Sequence, residues 1–199
     1  MSARTILFLL VGGMLFLLIT GLMDSRVINT TVLIQEGHVG RIKGNTGCIG
    51  NGFKEADWNS KVGRRVAKIL KSKGIHVTRV GADIPITNTI VGVALHFDGS
   101  NTPCATGASI GHNNSASSRR MARHWKETYR KFYPFKWHAD NFTTNLSHYY
   151  GFSRVNASKG FLVLELGEIS CKEQTTWLEP RLNQVAGKIA QFLLKELER

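Results

Sequence analysis

Three short runs of apolar, largely β-branched residues each lead into a side chain able to hold a metal or work beside one. Val32-Leu33-Ile34 precedes His38, Ile90-Val91-Gly92-Val93-Ala94-Leu95 precedes His96, and Phe161-Leu162-Val163-Leu164 precedes Glu165. Runs this continuously apolar read as strands buried on both faces, the habit of parallel sheets. In open sheets of that kind, ligands gather at the carboxyl ends of the strands. The pattern predicts an α/β fold, a single domain with a mostly parallel twisted sheet flanked by helices, and it locates the chemistry at one edge of that sheet.

A fourth segment, Gly52-Phe53-Lys54-Glu55-Ala56-Asp57-Trp58-Asn59, adds Glu55. Two histidines, a carboxylate ligand and a spare carboxylate are the parts of a hydrolytic zinc site. His38, Glu55 and His96 would hold Zn2+ and leave a fourth position for water, whose pKa falls from near 16 to about 7 beside the metal. Glu165 would shuttle the proton. A glutamate in so apolar a run needs a cation or a metal-bound water beside it, because burying it alone costs several kcal/mol. Any one of these histidines, taken singly, reads more simply as a surface or hydrogen-bonded residue; the set points to metal. Glu168 reads as facing elsewhere, and Asp57 and Asn59 as caps for a helix starting after Glu55. His112, His124, His138 and His148 match no motif, although His138 and His148 lie in a polar, aromatic-containing segment suited to a groove wall.

In order along the chain, the segments resemble the zinc-dependent N-acetylmuramoyl-L-alanine amidases, a family of cell-wall amidases and phage endolysins. Glu36-Gly37-His38-Val39-Gly40 is similar to the family's Gly-His turn, and Gly52 to Asn59 to its Gly-x-x-Glu motif. A helix over residues 62–73 and the strand Gly74-Ile75-His76-Val77-Thr78-Arg79 follow as in the family. Ala94-Leu95-His96-Phe97-Asp98 and Leu164-Glu165-Leu166-Gly167-Glu168-Ile169-Ser170 resemble its third and last motifs. The resemblance implies zinc on His38, Glu55 and His96, catalysis by Glu165, and peptidoglycan as substrate, cut between N-acetylmuramic acid and L-alanine. A peptidase cutting within the stem peptide would use the same metal chemistry, and an inactive wall-binding module is the reading outside enzymology. The chain departs from the family pattern in three places. Gln35-Glu36 replaces an Asp-Pro pair, Glu168 stands where an aromatic is usual, and the stretch from Arg79 to His96 lacks the helix that normally precedes the third motif.

Residues 27–199 suffice for one well-buried domain and not two. Residues 99–118, rich in Gly, Ser, Asn and Thr, read as a surface connection. Residues 117–133 carry a helical stripe of Met121, Trp125 and Tyr129, and residues 179–197 close the chain as an amphipathic helix with Val185, Ile189, Phe192 and Leu193 inward. Residues 1–26 form a separate unit. Within it, residues 5–23 are an uncharged apolar run about long enough to span a bilayer, without a good small-x-small cleavage site. The expectation is an uncleaved anchor in the cytoplasmic membrane with the catalytic domain on the periplasmic or extracellular side. Three cysteines are too few for a disulfide framework; free thiols are the simplest reading, with Cys48 and Cys104 the candidate pair. A net charge of +12 implies an anionic partner. No nucleic-acid-binding motif accompanies it, and anionic wall polymers account for it equally well. The chain reads as a monomer.

Overall fold

Val32, Leu33 and Ile34 are completely buried at the centre of strand β1 (Ile28–Glu36), an inner strand of the sheet that the apolar runs predict. The computed structural model describes residues 27–199, so the expected anchor over residues 5–23 lies outside the described residues. Among those described, no helix is long and apolar enough to cross a membrane. The sheet has five strands in the order β4-β1-β5-β7-β6. β4 (Val77–Val80), β5 (Thr87–Asp98) and β7 (Val155–Glu168) run parallel to β1, and β6 (Ala108–His112) is antiparallel to β7. A small hairpin, β2 (Ile49–Gly50) with β3 (Phe53–Lys54), stands apart.

From β1 the chain crosses through helix α1 (Glu55–Lys71) to β4 on one side, then returns past β1 to β5 on the other. Connections that diverge in this way open a crevice at the carboxyl ends of the two central strands. α1 carries Asp57 in its first turn and Lys68 and Lys71 in its last, complementing the helix dipole. It ends before Gly74, whose φ of +79° is a conformation that glycine adopts without strain.

The two faces of the sheet are built differently. On one, Val32, Ile34, Val93, Leu95, Phe97, Leu162 and Leu164 pack against three long helices. These are α1 through Trp58, Val62 and Leu70, α2 (Ala116–Arg130) through Met121, Trp125 and Tyr129, and α5 (Leu182–Glu198) through Val185, Ile189, Phe192 and Leu193. Each such side chain contributes roughly 1.5–3 kcal/mol by leaving water. The other face, with Leu33, Ala94, Phe161 and Val163, is covered by Ile84, Leu146 and the flanking Phe142, Tyr149 and Phe152. That cover comes from the short helix α3 (Thr144–Ser147) and a 3-10 turn at Tyr150–Ser153. Side chains alternate along a strand, so His96 shares the thinly covered face with Ala94, and Glu165 shares it with Val163.

Several expectations are corrected. The stretch 99–118 is not all surface loop, since it contains β6, buried along its whole length. Its sequence, Ala-Ser-Ile-Gly-His, has one β-branched apolar residue, and pairing with β7 makes it a strand. The helix expected over residues 62–73 begins at Glu55. The closing helix starts later than expected, at Leu182: α4 (Lys172–Leu178) and a 3-10 turn at Glu179–Arg181, with Pro180 inside it, precede α5. The free-thiol reading holds for Cys48 alone, and the candidate pair is replaced by another: Cys104 is bonded to Cys171, with Cα atoms 4.5 Å apart. Spacing in sequence does not reveal connectivity; here the turn after β7 brings Cys171 to the loop before β6.

Candidate metal centre

His38 lies two residues beyond β1 with φ +63°, a left-handed conformation uncommon for histidine. The turn is held by Gly37 N–H donating to Leu95 O (3.0 Å) and Val39 N–H to Glu36 O (3.3 Å). His38 Nδ1 is 3.0 Å from the Asn45 carbonyl oxygen, which can only accept. In the neutral ring Nδ1 therefore carries the proton and Nε2, 3.3 Å from Glu55 Oε1, keeps the lone pair a metal would take; in the charged ring Nε2 donates to Glu55 instead. From the neighbouring strand, His96 Nδ1 lies 3.0 Å from the same oxygen. The two imidazoles stand nearly perpendicular, with centroids 4.9 Å apart. One ligand atom from each of His38, Glu55 and His96 lies within 4.8 Å of the others.

Glu55, at the start of α1, is 3% exposed. Its Oε2 accepts from Cys48 N–H (2.9 Å), and its Oε1 from Phe97 N–H (3.2 Å) and Asn59 Nδ2 (3.4 Å). Burial alone would raise its pKa; hydrogen bonds and charge from the two histidines outweigh it and hold the carboxyl well below the usual range. For His38 too, burial works against the charged form, and Glu55 turns the balance upward.

Glu165 pairs with His96 in register across β5 and β7. It lines the groove at one end, while its Oε2 is sealed from solvent and has no hydrogen-bond partner. Burial, reinforced by the negative charges of Glu55 and Asp98, pushes this carboxyl well above its ordinary pKa. Buried polar atoms are nearly always satisfied, so the unpartnered Oε2 of this half-buried glutamate, one strand over from His96, suits a site that takes a cation. Two nitrogens and an oxygen converging from three elements suit zinc.

The sequence profile of the N-acetylmuramoyl-L-alanine amidases matches residues 32–195. The chain belongs to this family. Its fold is shared with solved amidases of low identity. AmiC2 of Nostoc punctiforme superposes with TM-score 0.62 at 22% identity, covering 86% of this chain and 98% of its own. An N-acetylmuramoyl-L-alanine amidase from Clostridium difficile 630 gives TM-score 0.63, 22% identity, and 86% and 97% coverage. The CwlD amidase from Clostridioides difficile, solved in complex with the GerS lipoprotein, gives 0.64, 16%, 85% and 99%. A search of curated protein sequences finds no significant match. The chemistry of this amidase is hydrolysis of peptidoglycan at an amide bond.

In the amidase the four predicted residues line one groove of about 500 Å3, together with Arg41, Asn45 and much of the 142–150 segment, and Arg41 lies over the Tyr150 ring at 5.7 Å. The missing helix between Arg79 and His96 has not displaced His96, because β5 begins at Thr87 and pairs with β1 along its length. Of the unassigned histidines, His148 lines the groove. His138 instead stacks on Phe142 at 4.3 Å, His112 meets Asn141, and His124 meets Glu196. Asn59 is no cap: it is wholly buried one turn into α1 and donates to Gly37 O (3.0 Å) as well as Glu55, tying the His38 turn to the carboxylate ligand. Its signal was the i,i+4 spacing from Glu55 on one helix face. Glu168 is wholly buried and turned to the backbone of Cys104 and Thr106. Tyr149 and Gln35, beside His96, were not singled out from the sequence.

Proposed function

We propose that this amidase is zinc-dependent and cleaves the amide between the lactyl group of N-acetylmuramic acid and L-alanine, with His38, Glu55 and His96 as the metal ligands and Glu165 as the acid–base group. The observation that carries the reading is the orphaned Oε2 of Glu165 beside a three-residue cluster suited to a divalent cation. Zinc at that cluster would supply Lewis acidity to the scissile carbonyl and to the attacking water. Glu165 takes a proton from the water as its oxygen adds to the carbonyl carbon. The same carboxyl then gives that proton to the amine nitrogen as the carbon–nitrogen bond breaks. Burial keeps Glu165 more basic than a solvated carboxylate, which suits it to both transfers. Glu55, held by backbone and side-chain donors on both oxygens and assigned here to the metal, is not the group for that duty.

In the same reading, residues 5–23 hold the domain at the outer face of the cytoplasmic membrane. The apolar length of that run supports it, as does a net charge of +12 that favours anionic wall polymers. A mature chain starting near Asp24 and free of the membrane would mark a cleaved signal instead.

The test uses residues 27–199, which contain the whole sheet and both of its cores. Metal analysis should find one zinc per chain, lost in the double variant His38→Ala with His96→Ala. Digested peptidoglycan should release intact stem peptides with free L-alanine amino termini. Full zinc in the double variant would sink the site, and cuts inside the stem would make the enzyme a peptidase.

A further inference from the structure

His96 uses both ring nitrogens. Nδ1 faces Glu55 Oε1 at 3.0 Å, and Nε2 faces the Tyr149 hydroxyl at 3.3 Å. That hydroxyl lies 2.8 Å from Gln35 Oε1, and Gln35 Nε2 lies 3.1 Å from the Gly81 carbonyl oxygen. The polarity of this chain is set at its far end. A carbonyl only accepts, so Gly81 turns the Gln35 amide nitrogen toward itself and leaves Oε1 for Tyr149. Tyr149 must then donate to Gln35, which leaves a phenolic lone pair facing His96. In the neutral ring His96 Nε2 therefore carries the proton, and Nδ1, on the side of Glu55 and the cluster, keeps the lone pair for a metal.

The ring has little freedom to do otherwise. A methyl group on Gly37 would come within 2.4 Å of His96 Cε1, so the imidazole lies directly on that backbone. Its other side meets Tyr149 edge-on, with centroids 5.7 Å apart. Gln35 is completely buried on β1, so its amide is fixed by the sheet. His38 has the opposite arrangement, with its proton on Nδ1 and its lone pair on Nε2.

We propose that Gln35 and Tyr149 form a proton-ordering relay that presents Nδ1 of His96 to the metal, so that the two histidine ligands bind through different nitrogens. The inference rests on the metal reading above and assigns Tyr149 as a positioning residue. It also ties the groove wall to the metal, because Tyr149 belongs to the segment that covers this face of the sheet. Groups of this kind around a ligating histidine are typically worth 10–100-fold in metal affinity.

The experiment has two independent arms on residues 27–199. In the parent protein loaded with 113Cd and labelled with 15N-histidine, cadmium should couple to Nδ1 of His96 and to Nε2 of His38. In zinc competition titrations, Tyr149→Phe and Gln35→Met should each bind zinc about 10–100-fold more weakly, with the metal-free protein still folded and melting lower only by the roughly 2–10 °C that an unpaired buried group costs. Coupling through Nε2 of His96, or zinc affinities within twofold of the parent in both variants, would overturn the relay while leaving the metal site standing. A parent that binds no zinc would overturn the metal reading and the relay together.

Discussion

Glu165 and Glu168 sit three residues apart on one strand, and their surroundings are opposites. Glu165 Oε2 is sealed without a partner. Glu168 is saturated: Oε1 accepts from Cys104 N–H (2.8 Å) and from the Ser170 hydroxyl, and Oε2 accepts from Thr106 N–H (2.7 Å). The strand itself separates the roles. Between His96 paired with Glu165 and Asp98 paired with Glu168, β7 holds one residue more than β5, a bulge that re-aims the side chains beyond it. Gly167, with φ +145°, supplies the backbone there, and a side chain at that position would come 2.7 Å from Leu178. Before the bulge the sheet presents an unsatisfied carboxylate to the groove; after it, a satisfied one pins the loop that leads to β6. An orphaned buried oxygen marks chemistry and a saturated one marks architecture.

The comparison is broken most severely by Glu165→Gln. The amide keeps size and polarity but cannot accept the proton, so peptidoglycan hydrolysis should fall at least about 10²-fold, the lower range for a general acid–base group. Zinc content and melting temperature should stay near those of the parent. If activity persists, the proton is carried by another group, and the contrast between the two glutamates loses its meaning.

The second region owes its shape to a covalent tie as well as to Glu168. Cys104–Cys171 closes a separation of 67 residues, for which chain entropy gives about 4 kcal/mol and common experience about 2–4. Cys104→Ser with Cys171→Ser should therefore lower thermal stability by several degrees, at about 2–4 °C per kcal/mol for a domain of this size. The proposed metal ligands come from the turn after β1, from α1 and from β5, none of which the disulfide holds, so metal affinity should change little. Loss of zinc in that variant would show that the clamp and the metal centre are one unit rather than two.

The features legible in the sequence divide along the same line. The parallel strands were legible because Val32 to Ile34, Val91 to Leu95 and Phe161 to Leu164 are apolar without interruption, as strands covered on both sides must be. The proposed ligands His38 and His96 stand at or just beyond such runs, whereas Glu55, after Gly52-Phe53-Lys54, had only the family motif to mark it. β6 was not, because Ser109 and Gly111 have no strand signature of their own and the partner strand decides the outcome. Nor were Gln35, Tyr149 and Asn59, since their roles depend on partners 114, 53 and 22 residues away in sequence. The disulfide and the role of Glu168 depend on the loop from Gly99 to Gly107 folding back on the end of β7, which no local pattern announces.

The mildest expected effect falls on Glu168, and its sign separates the two regions most sharply. In Glu168→Gln one carboxylate oxygen becomes an NH2 group, yet Cys104 N–H and Thr106 N–H approach opposite oxygens of that carboxylate. Whichever way the amide turns, a donor faces a donor, and a buried group is left unsatisfied at a cost of about 1–3 kcal/mol. Melting should drop by roughly 2–10 °C, while activity measured well below the transition stays within about threefold of the parent, since Glu168 leaves the ligand cluster and Glu165 untouched. The informative measurement is the pair of variants side by side: Glu165→Gln inactive and stable, Glu168→Gln active and destabilised. The reverse pattern would exchange the roles of the two carboxylates, and it would mean that the bulge at Gly167, rather than the strand before it, delivers the catalytic group.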